Sequence, residues 1–284
     1  MPKISLSTWS LISRMGYRDA MDFAVRHGFE GIELWSNPID FWPTQVTSGE
    51  VDAIKSIARE NQMPLAVHFC YGSNNLADYN EGHLAVCLEQ LKETILLASR
   101  IGAGIVVIHP GTIPDFLPFH SQAILNPKLS LPQLKREAIV RFKSAVRNAA
   151  AFAENHGVVL GLENLGYKPN SIQSAHQDLA DWVDEIGSRA LQITLDVGHA
   201  NLEEGVEQAI KTLGSRIRHV HLDDNNGQSS KHGELGTGTI VWAAHRAFFK
   251  SFTGMLSLEI RDDGDTEGAV LRSKSFIERL IGRD

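Results

Sequence analysis

The chain has 284 residues, a formal net charge of −7 and 43% hydrophobic residues, a size that suits one large α/β barrel or two ordinary domains. The acidic balance argues against nucleic acid or a membrane surface as the main partner, because binding their phosphates selects a clustered basic face. Two cysteines, Cys70 and Cys87, are too few for a disulfide framework, and the longest apolar stretch, 101–111, is far too short to span a bilayer. The opening residues lack the charged-then-apolar run of a signal peptide, so a cytoplasmic protein is expected.

Read for period, short β-branched runs alternate with longer amphipathic ones, the pattern of βα units around a parallel sheet. The first expected strand, KISLST (3–8), is followed by a helix over 17–27. EGIEL (30–34) leads to a helix over 49–60, and PLAVH (64–68) to a long one over 81–101. GIVVIH (104–109) precedes a helix over 131–156, VVLGLE (158–163) one over 174–186, and LQITLD (191–196) one over 202–213. IRHVHL (217–222) and MLSLEI (255–260) complete the strands before a final helix over 270–281. The glycines in RHGFEG, SRIGAG and ENHGVVL supply the positive φ that ends three of these helices. Eight β/α repeats without a linker predict a single α/β domain over 1–284, a (β/α)8 TIM barrel, with a doubly wound open sheet as the alternative. Two βα connections are long. The one over 110–131, with four prolines, reads as a cover over a pocket, and the polar, glycine-rich one over 223–239 as a second wall.

Eight side chains with metal-ligand chemistry stand at or just past these strands: His68, His109, Glu163, Asp196, His199, His221, His232 and Glu259. In a barrel the βα loops share one face, so residues far apart in sequence converge there. Glu163, Asp196, His221 and Glu259 end strands five to eight and would be neighbours around half the mouth. Three carboxylates and one imidazole make a mainly hard shell suited to one divalent ion: Mn²⁺, Mg²⁺, Co²⁺ or Zn²⁺. Without a cation the carboxylates would repel, and at least one would take up a proton. Each residue alone has a bland reading, as a salt-bridge partner or a hydrogen-bonded core histidine; four at equivalent places in four successive units outweigh it. His68 and His109, ending strands three and four, either complete a second metal site bridged by Glu163 or bind sugar hydroxyls. The glycine between Asp196 and His199 allows a turn tight enough for the histidine to re-enter the pocket, more as a substrate-binding or outer residue than as a first ligand. Trp9, Trp35, Phe69, Tyr71 and Trp242 are either aromatic walls for a ligand or core.

The motifs GFEGIELW, VIHPG, LENLG, LDVGHAN, HVHLDDNNG, HGELGTG and LSLEI run through nearly the whole chain. With them the sequence resembles the xylose isomerase-like TIM-barrel superfamily, whose branches include sugar phosphate isomerases/epimerases, ketose 3-epimerases, inosose dehydratases and endonuclease IV (AP endonuclease family 2). The resemblance implies that Glu163, Asp196, His221 and Glu259 bind the metal of the epimerase branch, where the two glutamates also move the proton. In the endonuclease IV branch the same positions, with the equivalents of His68, His109, His199 and His232, hold three zinc ions. That branch has an aspartate where this chain has Ser230, so a third zinc would keep only His199 and His232. Gly72 likewise stands where the DNA enzyme has an apolar wedge. A second zinc at His68 and His109 stays open. The implied partner is a small-molecule sugar or polyol rather than nucleic acid, and relatives of this size suggest a homodimer.

The expected activity is therefore a metal-dependent isomerase or epimerase. One of Glu163 and Glu259 would remove a proton beside a carbonyl and the other return it to the opposite face of the enediolate. His199 and His232 would hold substrate oxygens. An inosose-type dehydratase would use nearly the same residues, and an endonuclease IV-like zinc phosphodiesterase is the alternative in another class. A non-catalytic sugar-binding barrel is disfavoured by the presence of all four core ligands. No glycine-rich cradle announces a phosphate; the GELGTG turn is the one weak candidate.

Overall fold

Eight parallel strands pair in chain order, and the last returns to the first, with Lys3 opposite Met255 and Leu6 opposite Leu258. The strands are β1 (Lys3–Ser7), β2 (Gly31–Trp35), β3 (Leu65–His68), β4 (Ile105–Ile108), β5 (Val159–Glu163), β6 (Leu191–Asp196), β7 (Ile217–Leu222) and β8 (Met255–Leu258). Closure excludes the open sheet, and all eight expected strands form. The computed structural model describes residues 1–283 except Tyr71, Ser73, 114–129, Tyr167 and Pro169. Most of the expected cover over 110–131, and Tyr71, lie outside the described residues.

The helices are α1 (Tyr17–Arg26), α2 (Ser48–Glu60), α3 (Glu81–Ile101), α4 (Leu131–Asn155), α5 (His176–Ile186), α6 (Val197–Asn201), α7 (Val206–Leu213), α8 (Arg246–Ser251) and α9 (Thr266–Ile281). The helix expected over 202–213 begins only at Val206, as α7, and the separate short α6 lies before residue 202. Asp196 caps α6 by accepting from the His199 N–H at 2.6 Å, and Gly205, at φ 90°, breaks the chain before α7. The six-residue α8 is absent from the sequence-based reading because so short a helix leaves no periodic signal. No helix among the described residues is long and apolar enough to cross a membrane.

Strand alternation separates two chemistries. Leu6, Ile32, Val67, Val106, Leu160, Ile193, Val220 and Leu256 are fully buried in one core with helix residues such as Phe23, Leu91 and Phe142. Each such side chain contributes about 1.5–3 kcal/mol on burial. The alternate positions face the barrel axis. At its floor Ala66, Ile105 and Met255 form a small apolar plug. Toward the C-terminal ends of the strands the axis is polar: Ser7, Glu33, His68, Glu163, Thr194, Asp196, His219, His221 and Ser257 are all buried. Gly161 makes room for this filling, since a Cβ there would lie 2.3 Å from Thr194 Oγ1.

Candidate active site

A cavity of about 540 Å³ opens at the C-terminal ends of the strands, with His68, His109, Glu163, His199, His232 and Glu259 in its wall. The remaining two expected ligands, Asp196 and His221, are fully buried beneath it. All eight are thus brought to one end of the barrel. Trp9 and Trp35 line the cavity as aromatic walls. Phe69 and Trp242 do not: both are buried, and the Trp242 indole N–H donates to Asp224 at 2.8 Å, so for these two the core reading holds.

Glu163 is the centre of the cluster. Its Oε2 lies 3.2 Å from His68 Nε2, 3.0 Å from His109 Nε2 and 3.6 Å from His221 Nδ1, and its Oε1 lies 3.3 Å from His199 Nδ1. His221 Nδ1 also faces Asp196 Oδ2 at 3.8 Å and Glu259 Oε2 at 3.5 Å. Both His221 Nδ1 and Asp196 Oδ2 are buried without a hydrogen-bond partner. Buried polar atoms normally find partners, so two of them facing one another among carboxylates are what a cation site requires. Several ligand groupings are close enough to hold an ion, including His68, His109 and Glu163; Glu163, Asp196 and His199; and His68, His221 and Glu259.

The model of the family described as xylose isomerase-like TIM barrel matches residues 21–280. The chain belongs to this family. An uncharacterized protein of Methanocaldococcus jannaschii, MJ1311, is 24% identical over 92% of this chain and 84% of its own length. A fructoselysine 3-epimerase of Shigella flexneri is 25% identical over 78% of this chain and 75% of its own. A probable endonuclease 4 of Mycobacterium marinum is 24% identical over 80% and 83%, respectively. The crystal structure of a D-tagatose 3-epimerase-like protein superposes with a TM-score of 0.81 at 22% identity, covering 98% of this chain and 97% of that one.

Beneath the cluster this xylose isomerase-like barrel holds residues the sequence-based reading missed. Glu33 Oε2 lies 2.6 Å from His219 Nε2 and 3.0 Å from His221 Nε2, while Ser7 Oγ lies 3.0 Å from Glu33 Oε1 and 3.1 Å from Glu259 Oε1. The available signal was period-2 alternation: Glu33 in GIELW, and His219 two residues before His221, share the axial face with the ligands. A second missed pair is Asn164 and Asp196, whose side-chain amide and backbone exchange hydrogen bonds of 2.8 and 2.9 Å. The Asn164 carbonyl also lies 3.1 Å from His199 Nδ1 and orients that ring.

The loop expected as a second wall contributes residues 227–232 to the cavity. Asp224 braces it, accepting from the Gly236 N–H and the Trp242 indole while its backbone pairs with Gly233. His232 sits at φ 51°, a left-handed conformation that costs a non-glycine residue about 1–3 kcal/mol. The Arg261 N–H holds it there through the His232 carbonyl at 2.7 Å. Asp223, buried beside α6, places Oδ2 3.4 Å from His232 Nδ1. No sequence spacing shows that pair.

Without a bound cation the cluster carries protons instead. Burial opposes charge on His199 and His232, yet Asp196 and Asp223 beside them push the two imidazoles up to about 9 and about 10. Burial, with Asp223 and Glu163 nearby, pushes Asp196 up to about 7 against the pull of His199. Burial also acts on Glu163, but His109 and His221 overcome it and hold the carboxyl well below its usual range.

Proposed function

We propose that this chain is a divalent-metal-dependent epimerase or isomerase of ketoses or related polyol-ketones. The observation that carries the reading is the pair Glu163 and Glu259: two buried carboxyl groups, three strands apart around the barrel, that flank His221 and line one cavity. The 3-epimerase relative and the 3-epimerase-like fold neighbour support the same class of chemistry.

Glu163, Asp196, His221 and Glu259 would hold one divalent ion, Mn²⁺, Mg²⁺, Co²⁺ or Zn²⁺, with Asp196 Oδ2 and His221 Nδ1 as the two buried atoms that lack partners. When bound, such an ion supplies Lewis-acid polarisation of the substrate carbonyl and its neighbouring hydroxyl. Glu163 removes the proton from the carbon beside the carbonyl, and the C–H electron pair passes into the enediolate. Glu259, carrying a proton, delivers it to the opposite face, so the centre inverts with no net oxidation; the reverse reaction exchanges the two roles. His199, its Nδ1 turned to the Asn164 carbonyl, presents Nε2 to substrate oxygens, and Trp9 and Trp35 limit water at the enediolate.

Proton NMR in D₂O tests this directly, using Mn²⁺-loaded protein and a panel of ketoses and keto-inositols. Deuterium should enter at the carbon beside the ketone as the epimer forms; loss of water without an epimer would instead indicate the dehydratase. No exchange with any member sinks the proposal. The His68, His109 and Glu163 grouping supports a second reading, phosphoester hydrolysis with two zinc ions. Two bound zinc ions together with cleavage of abasic-site DNA would favour it.

A further inference from the structure

The cavity wall carries both signs of charge. It is lined by the ligand-type residues Glu163 and Glu259 and also by three cations, Lys168, Lys231 and Arg261. Among the described residues none of these three cations is in a salt bridge. Arg261 lies over the Trp9 ring, 5.6 Å from its centroid, which holds the guanidinium at the mouth. Asp262 lies near enough to Lys231 to feel its charge, and its Oδ1 accepts from the backbone N–H groups of Gly264 and Asp265. Gln228, Ser229 and Ser230 add polar groups to the same wall. On a chain of net charge −7, three cations lining one cavity, none of them in a salt bridge among the described residues, favour an anion there.

We propose that Lys231 and Arg261, with Lys168 in the same cavity wall, form a subsite for an anionic group, a phosphate or a carboxylate, at the end of the substrate remote from the reacting carbon. The inference rests on the ketose reading for the remainder of the substrate. D-fructose, D-fructose 6-phosphate and D-fructuronate, compared in the exchange assay, separate neutral, phosphorylated and carboxylate substrates. One of the anionic sugars should exceed D-fructose at least 30-fold in kcat/KM, and K231A/R261A should cut that ratio at least tenfold through KM. Equal rates for all three, or a ratio that survives the double substitution, overturns the subsite. If no ketose exchanges, the proposed function fails and the subsite is tested alone by calorimetric titration with inorganic phosphate. Phosphate binding lost in K231A/R261A supports the subsite, and equal binding in both proteins overturns it.

An independent observation concerns Glu33. A carboxylate only accepts, so its contacts with His219 Nε2 and His221 Nε2 place a proton on each of those nitrogens. In a neutral ring the lone pair of His221 is then on Nδ1, the atom facing Glu163, Asp196 and Glu259. The geometry points to Glu33 as a positioning residue that selects the metal-binding tautomer of His221. In Glu33→Gln the amide can donate to His221 Nε2, moving the ring proton to Nδ1 and blocking ligation. Mn²⁺ affinity, measured by calorimetry, should fall about 10–100-fold, with ¹⁵N histidine shifts reporting the changed tautomer and Glu33→Asp restoring part of both. Unchanged affinity and tautomer in Glu33→Gln refute the role; if that variant fails to fold, a Glu33→Asp protein with a wild-type tautomer but metal affinity lost as in a ligand deletion also refutes it.

Discussion

Replacing Glu163 with glutamine probes the centre of the cluster with almost no change in volume. Glu163 meets the nitrogens of His68, His109, His199 and His221 within 3.0–3.6 Å, and it is 1% exposed, so water cannot substitute for the lost charge. Two losses follow. The amide cannot accept a carbon-bound proton, and general-base catalysis is worth about 10²–10⁴-fold, or about 3–5 kcal/mol of transition-state stabilisation. The amide is also a poorer ligand, and with its NH₂ on the Oε2 side it would turn N–H toward His68 and His109. Deuterium exchange at saturating Mn²⁺ should therefore drop at least 100-fold, with Mn²⁺ affinity reduced in calorimetry and the far-ultraviolet circular dichroism retained. A variant that keeps turnover within tenfold of wild type would refute the assignment of Glu163 as base.

Gly198→Ala would place a Cβ 2.0 Å from Asp223 Oδ1 and 2.5 Å from its Cγ, forcing the carboxylate off His232. Such overpacking costs about 1–3 kcal/mol, and the histidine NMR titration should show His232 falling from about 10 toward its ordinary value; an unmoved titration refutes the pairing. In chelator-treated protein, His199 and His232 bind protons more tightly folded than unfolded, so their stabilisation is complete below about pH 6.5 and lost as pH rises through about 9 and about 10. Calorimetry should show Tm falling between pH 7 and 10 with EDTA, and falling less with Mn²⁺, which takes over the compensating charge; identical slopes would contradict this. Asp224→Ala removes the acceptor for the Gly236 N–H and the Trp242 indole, so Tm should fall and the His232 loop should exchange amide protons faster; unchanged exchange in that loop refutes its bracing role.

Strand number, order and the convergence of eight ligand-type side chains were legible in the sequence because each rests on a local signal. β-branched runs end in polar residues, and βα repetition forces their C-terminal ends to one face. Alternation along GIELW and IRHVHL also carried Glu33 and His219, although these were not distinguished from the apolar runs around them. The helix over 202–213 starts later than expected because Gly205, at φ 90°, breaks the chain before α7, and the short α6 ahead of it rests on the Asp196 side-chain cap; neither is visible as hydrophobic period.

By itself, the sequence determined that a barrel would close and which residue types would crowd its mouth. Only the tertiary structure decided that Asp223 faces His232, that Glu33 grips His221 from behind, and that Trp242 serves Asp224 rather than a ligand. The physical reason is that strand ends are placed by backbone geometry common to every βα unit. The partner of a buried charge is chosen by which side chains from distant strands arrive within about 3 Å, where desolvation makes each pairing decisive.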